Sequence, residues 1–255
     1  MLPEVRLDAI EIAGLISVAF VAGFVDAIAG GGGLITVPSL LATGLSPHLV
    51  LGTNKGQSMF GTAAALTRYA RAGLLNKRSA VRLFLLGFSG ACVGTALAVQ
   101  LRPEVLRPVV LVLLFAVTPL VFVRPKSSQL SPRLTQIGPA ALALVIGAYD
   151  GFFGPGTGTL LLLGFVALGR SLLNASAEAK VVNLASNLAA FTVFAWKGFV
   201  LFKLALPMGL AQLTGGHLGA RAALRGGERI VRGVLVVVVL ALLVKLGHDT
   251  WAARG

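Results

Sequence analysis

The chain has 255 residues, 56% of them hydrophobic and 12% charged, with a mean hydropathy of +0.89 and a net charge of +13. A soluble domain carries about twice that share of charge and has too much surface to hide so much apolar side chain, which points to lipid as the solvent. The basic excess lies in short gaps between apolar runs, in Arg68, Arg71, Lys77, Arg78 and Arg82 and again in Arg221, Arg225, Arg229 and Arg232. It is not interleaved with aromatics on one face. It therefore reads as positive-inside loop charge in contact with anionic lipid, not as a nucleic-acid surface.

A spanning helix needs about 20 apolar residues. In chain order, apolar segments are predicted near 9–30, 33–44, 48–70, 79–101, 105–123, 134–153, 157–168, 174–196, 201–222 and 230–247. Glu4, Asp8 and Glu11 at the amino end argue against a cleaved, basic leader, so the first segment reads as a retained helix. Eight segments are long enough to span. The two short ones, 33–44 and 157–168, each follow a glycine cluster directly: Gly30-Gly31-Gly32-Gly33 and Gly154-Pro155-Gly156-Thr157-Gly158. Cys92, the single cysteine, lies among small residues and reads as packing.

The two halves resemble each other. Gly23-Phe-Val-Asp26 before the first cluster matches Gly147-Ala-Tyr-Asp150 before the second, an offset of 150 − 26 = 124. Lys55, Gly73, Gly90 and Gly94 match Lys180, Gly198, Gly215 and Gly219, an offset of 180 − 55 = 125. The expected architecture is all-α and polytopic, a single transmembrane domain of two homologous repeats, about 9–123 and 134–247. Placing the basic loops, including Arg124, Lys126 and Arg133, in the cytoplasm gives the orientation. If both short segments cross, each repeat holds five elements and the second copy is inverted, which is the preferred reading. If they are re-entrant, the chain has eight spans and parallel repeats.

Glycine permits left-handed backbone and close approach, and broken helices at membrane depth are tolerated where they line a polar cavity. A helix starting after such a break turns free amides and its positive dipole end toward that cavity, which suits an anion. A tight surface hairpin is the alternative. Asp26 and Asp150 precede the breaks, and Lys55 and Lys180 open the next long segments. Intramembrane charges need a partner or a water path, unless the lysines snorkel to an interface. The aspartates could carry protons or neutralise the lysines. Thr53, Asn54, Gln57 and Ser58 surround Lys55, while Asn183, Ser186 and Asn187 follow Lys180 on one helical face. These are candidate oxyanion ligands or helix-packing groups. Gly31, Gly32, Asn54, Lys55, Gly156, Thr157, Lys180 and Asn183 form the candidate binding set, with Asp26 and Asp150 as coupling or structural charges. Ser89 and His217 could form a hydrolytic dyad but sit in small-residue packing runs. No metal-ligand spacing and no cofactor motif appears.

At these residues the sequence resembles the TauE/SafE family of sulfite and organosulfur-anion exporters. The likeness rests on Gly23-x-x-Asp26 with Gly30–Gly33, on Gly52-Thr53-Asn54-Lys55, on Tyr149-Asp150-Gly-Phe-Phe-Gly154-Pro155-Gly156-Thr157-Gly158, and on Ala177-x-Ala179-Lys180-x-x-Asn183-x-x-Ser186-Asn187. It covers about residues 10 to 245. The resemblance implies a multi-pass inner-membrane secondary transporter, not an enzyme, that exports a small sulfur-containing anion from a site between the repeats near the midplane, with proton coupling as a variant. The alternatives are an intramembrane hydrolase using Ser89 and His217, or a non-transporting subunit.

Overall fold

The computed structural model describes residues 7–117 and 132–226, with side chains of the second part from 137 onward. Arg124, Lys126, Arg229, Arg232, the side chain of Arg133 and the apolar run 230–247 lie outside the described residues. Among those described, the chain is helical throughout. The helices are α1 (Ala9–Ala29), α2 (Gly32–Ala42), α3 (Pro47–Arg71), α4 (Lys77–Ala98), α5 (Pro103–Val117), α6 (Pro132–Phe152), α7 (Thr157–Ala167) and α8 (Leu172–Trp196). A ninth, α9, runs from 202 to 226.

Local chemistry sets the boundaries. Asp8 and Glu11 close a reciprocal capping box on α1, satisfying two amides left over at a helix start. Asn76 and Ser171 accept from Ser79 and Asn174 at the starts of α4 and α8. Glycines with positive φ end α2, α3, α7 and α8 or follow them closely: Gly44, Gly73, Gly169 and Gly198. Helix lengths recur along the chain. α2 and α7 each have 11 residues, and α3 and α8 each have 25. Both pairs keep the 125-residue offset read from the lysines, and so does the start of α9 relative to α4. An 11-residue helix is about 17 Å long, little more than half a hydrocarbon core.

The described surface is strongly apolar, and the apolar interior holds a polar cluster at its centre. The large exposed apolar side chains lie on α1, α4, α5, α6 and α9, for example Phe20, Leu85, Val112, Val145 and Leu210. Apart from Trp196 at the end of α8, the helices α2, α3, α7 and α8 expose none. These inner helices instead bury Thr36, Asn54, Lys55, Gln57, Lys180, Ser186 and Asn187. An apolar outer surface around a buried polar cluster is stable where the surrounding solvent is lipid. Of the described helices, α1 and α4 are long and apolar enough, by length and composition, to cross a membrane.

Backbone contacts through glycine lock the outer helices to one another, in two matching pairs. A Cβ at Gly90 or Gly94 of α4 would lie 2.2 Å from Leu144 O or 1.9 Å from Ala148 O of α6. A Cβ at Gly215 or Gly219 of α9 would lie 2.1 Å from Phe20 O or 2.3 Å from Phe24 O of α1. Small residues four apart permit this approach. Each repeat's fourth helix thus packs on the other repeat's first.

Candidate functional site

The site forms where the two broken helices meet. α1 ends at Ala29, and Gly30 (φ 78°) and Gly31 (φ 89°) turn the chain into α2. α6 ends at Phe152, and Gly154 (φ 99°), Pro155 and Gly156 (φ 83°) turn it into α7. The two turns touch: a Cβ on Gly30 would stand 2.2 Å from the carbonyl carbon of Gly158, and one on Gly33 would stand 3.1 Å from Pro155 Cα. Only glycine fits the first of these contacts, because both the space and the positive φ exclude an L side chain. Tyr149 donates to Pro155 O at 2.7 Å and braces the second turn from within α6.

Two buried ion pairs cross between the repeats. Lys55 Nζ of α3 lies 2.6 Å from Asp150 Oδ1 at the end of α6. Lys180 Nζ of α8 lies 2.7 Å from Asp26 Oδ2 near the end of α1. Neither lysine snorkels to an interface: both residues are about 1% exposed. The carboxylates also hold the half-helix starts. Gly32 N, in the first turn of α2, donates to Asp26 Oδ1 at 3.2 Å. Thr157, the first residue of α7, donates its hydroxyl to Asp150 Oδ1 at 2.9 Å, and Ser186 of α8 donates to Asp150 Oδ2. Asp26 therefore already meets part of the positive end of α2, which makes that turn less open to an outside anion than its glycine cluster alone suggests.

Between the pairs lies a cavity of about 30 Å³, roughly two to three times the minimum that holds one water. Gly31, Gly32, Asn54, Lys55, Gly156, Thr157 and Asn183 of the sequence-derived set line it, as do Asp26 and Asp150. Lys180 stands behind Asp26, off the cavity wall. Gly33, Gly154, Gly158, Ser58, Thr62, Asn187 and Gln212 complete the lining. α3 contributes Lys55, Ser58 and Thr62 at spacings of three and seven, and α8 carries Lys180, Asn183 and Asn187 at the same spacings. The two polar stripes are counterparts under the repeat, on helices that pack together.

Asn54 is oriented by its neighbours. Its Oδ1 accepts from Thr36 Oγ1 at 2.6 Å and Gln57 Nε2 at 3.2 Å, so its amide donors are left for the cavity. Thr36, Thr62 and Gln212 escape sequence reasoning. Gln212 shows only as one polar residue in the apolar run 201–222, and the hydroxyl at 36 has no spacing that marks it, whereas Thr62 carries a signal that was available, its spacing of seven from Lys55. Ser89 and His217 do not form a dyad. Ser89 Oγ donates back to Leu85 O at 2.8 Å, and His217 is exposed against the Arg68 guanidinium, 2.9 Å away.

An apolar coat, a buried polar cluster and two half-helices meeting at a polar cavity are the features of an α-helical membrane protein of the transporter class. A family model described as sulfite exporter TauE/SafE matches residues 15–246. The chain is 41% identical over 236 residues to the probable membrane transporter protein ORF9 of a Sinorhizobium species, covering 91% of this chain and 90% of that one. It is 36% identical over 251 residues to a probable membrane transporter protein of Haemophilus influenzae, covering 96% and 97%. It is 34% identical over 240 residues to the probable membrane transporter protein YfcA of Escherichia coli K12, covering 92% and 89%. No solved structure matches. The chain belongs to the TauE/SafE family of membrane transporters and is not an enzyme.

Proposed function

We propose that this protein is a multi-pass inner-membrane secondary transporter that exports a small sulfur oxyanion or organosulfonate through the cavity between its repeats. The observation that carries this reading is the meeting of two glycine-broken half-helices at a cavity whose fixed charges are paired with one another. Lys55 and Lys180 cancel Asp150 and Asp26. An incoming anion is then held by neutral donors, Asn54, Ser58, Thr62, Asn183 and Asn187, helped by the positive ends of α2 and α7. Such a site binds without trapping, because no unpaired cation waits for the ligand. The small volume favours an oxyanion over a bulky organic substrate.

The repeats are read as inverted, with the site near the midplane, a plan in which rocking of one bundle against the other exposes a fixed site to each side in turn. The crossed ion pairs and the paired glycine contacts support a twofold relation between the halves. The membrane potential drives an uncompensated anion out of a cell that is negative inside. Proton coupling through Asp26 or Asp150 is the second form.

A thermal-shift screen of the purified protein against sulfite, thiosulfate, sulfoacetate and simple carboxylates tests the substrate class. The sulfur anions are expected to raise the melting temperature in a concentration-dependent way, by mass action. A shift with carboxylates alone would replace the substrate class, and no shift with any of them would remove the anion site.

A further inference from the structure

We infer that the anion this cavity prefers carries its own hydrogen-bond donor, an O–H or N–H on the oxyanion centre, and that Asp26 Oδ1 receives it. This rests on the anion-transporter reading and narrows its substrate class.

The cavity wall holds polar groups that the protein leaves unanswered. Among the described residues, the side chains of Thr62, Asn183, Asn187 and Gln212 form no hydrogen bond, although all four are buried. Buried polar groups are rarely left so. All four line the cavity, brought there by α3, α8 and α9. A hydroxyl and three amides differ from a set of cations, because each can give and receive. A ligand made only of acceptors uses half of what they offer.

The two aspartates differ in what they can still accept. Asp150 is held on both oxygens, by Lys55 and Thr157 on Oδ1 and by Ser186 on Oδ2, and its side chain is 4% exposed. Asp26 gives Oδ2 to Lys180, and its Oδ1 has one donor, the Gly32 amide at 3.2 Å. A carboxylate oxygen has room for a second donor. The Asp26 side chain is 20% exposed, at the cavity wall. It is a charged acceptor inside a site read as an anion site.

That juxtaposition selects the ligand. A Cβ on Gly158 would stand 3.1 Å from Asn183 Nδ2 and 3.3 Å from Asp26 Oδ1. A donor and an acceptor therefore flank one point of the wall. A bare oxyanion oxygen facing Asp26 Oδ1 would set two negative oxygens against each other where solvent screens them poorly. An O–H or N–H in that place replaces the repulsion with a charge-assisted hydrogen bond. A neighbouring oxygen of the same ligand then accepts from Asn183. The edge O=S–O–H or O=S–N–H matches the pair. Charge agrees with this, since Lys55 and Lys180 already cancel the two aspartates. A monoanion then adds less uncompensated charge than a dianion. Among sulfur oxyanions the fit is hydrogensulfite or its amide analogue sulfamate, and anions without a donor bind more weakly.

The experiment is calorimetric titration of the full chain in detergent, near neutral pH, with sulfamate and with methanesulfonate. The two are monoanions of nearly equal size that keep their charge across neutral pH, and they differ by an amino group against a methyl group. Sulfamate is expected to bind about tenfold or more tightly, because a hydrogen bond to a charged group separates them. A site built to pair a ligand donor rejects the analogue that lacks it. The double variant Asp26→Leu/Lys180→Met removes the acceptor together with its counter-charge, and should bring the two anions to about equal affinity. Equal affinities in the wild-type protein, or tighter methanesulfonate, would overturn the inference while leaving the anion site standing. A preference that survives the double variant would overturn the assignment to Asp26. If the wild-type protein binds neither anion, the anion site falls and this inference with it. Should the double variant not fold, the wild-type ratio decides.

Discussion

Lys55 and Asp150 stand 95 positions apart and meet at 2.6 Å, joining the third helix of the first repeat to the first helix of the second. Lys180 and Asp26 repeat the arrangement in reverse. The pairs fasten the halves to each other at the place where both are broken.

Removing one member of the sealed pair leaves the other charge buried and alone. Lys55→Met or Asp150→Asn is expected to destabilise the protein by about 3–5 kcal/mol. The double variant Lys55→Met/Asp150→Leu should recover part of that loss, since no unpaired charge remains. Thermal unfolding in detergent, arranged as a double-mutant cycle, checks this.

The coat depends on backbone contact. Gly94→Ala places a Cβ 1.9 Å from Ala148 O, and Gly219→Ala places one 2.3 Å from Phe24 O. Each should cost at least about 1–3 kcal/mol because whole helices must part. Gly14→Ala, with nothing within 4 Å, should cost nothing measurable. Melting temperatures of the three variants test the contrast.

Gly31 and Gly73 separate strain from function. Both have positive φ, 89° and 75°, so alanine at either costs roughly 1–2 kcal/mol of backbone strain. Gly73 faces open space and Gly31 the cavity. Similar losses of stability are expected, with anion flux lowered only by Gly31→Ala. Equal flux in the two variants would detach the first turn from transport.

Topology distinguishes inverted from parallel repeats. In a Cys92→Ala background, Ala72→Cys and Lys197→Cys place single exposed thiols at equivalent ends of α3 and α8. Inverted repeats predict labelling from opposite sides of the membrane, Ala72→Cys from the cytoplasm. Labelling of both from the same side establishes parallel repeats.

Much of this architecture is legible in the sequence. The expected segments 33–44 and 157–168 fall within about two residues of α2 and α7, because glycine clusters end helices for steric reasons that need no tertiary context. The offset of 125 carries through α2 to α4 and α7 to α9. The crossing of the ion pairs is not legible, since periodicity gives the face of a helix and not its partner. The sequence offers Lys55 either aspartate, or an interface. The inequality of Asp26 and Asp150 depends on the hydroxyls of Ser186 and Thr157 folding onto one carboxylate, since their counterparts Gly61 and Gly32 have no side-chain donor. Gln212 is hidden for a similar reason: a single amide in an apolar run acquires meaning only when α9 is laid against α1.

The most direct measurement of the central claim is anion efflux from proteoliposomes loaded with radiolabelled sulfite or thiosulfate. Wild-type protein is compared with Asn54→Leu and Asn187→Leu. Loss of a hydrogen bond to a charged ligand is worth about 1.5–3 kcal/mol, so each variant should lower flux by about tenfold or more per folded protein. Flux well above that of protein-free vesicles in the wild type, and lost in both variants, is the predicted result. Sulfur-anion flux that is absent from the wild type, or unchanged when both asparagines are replaced, would contradict transport through this cavity.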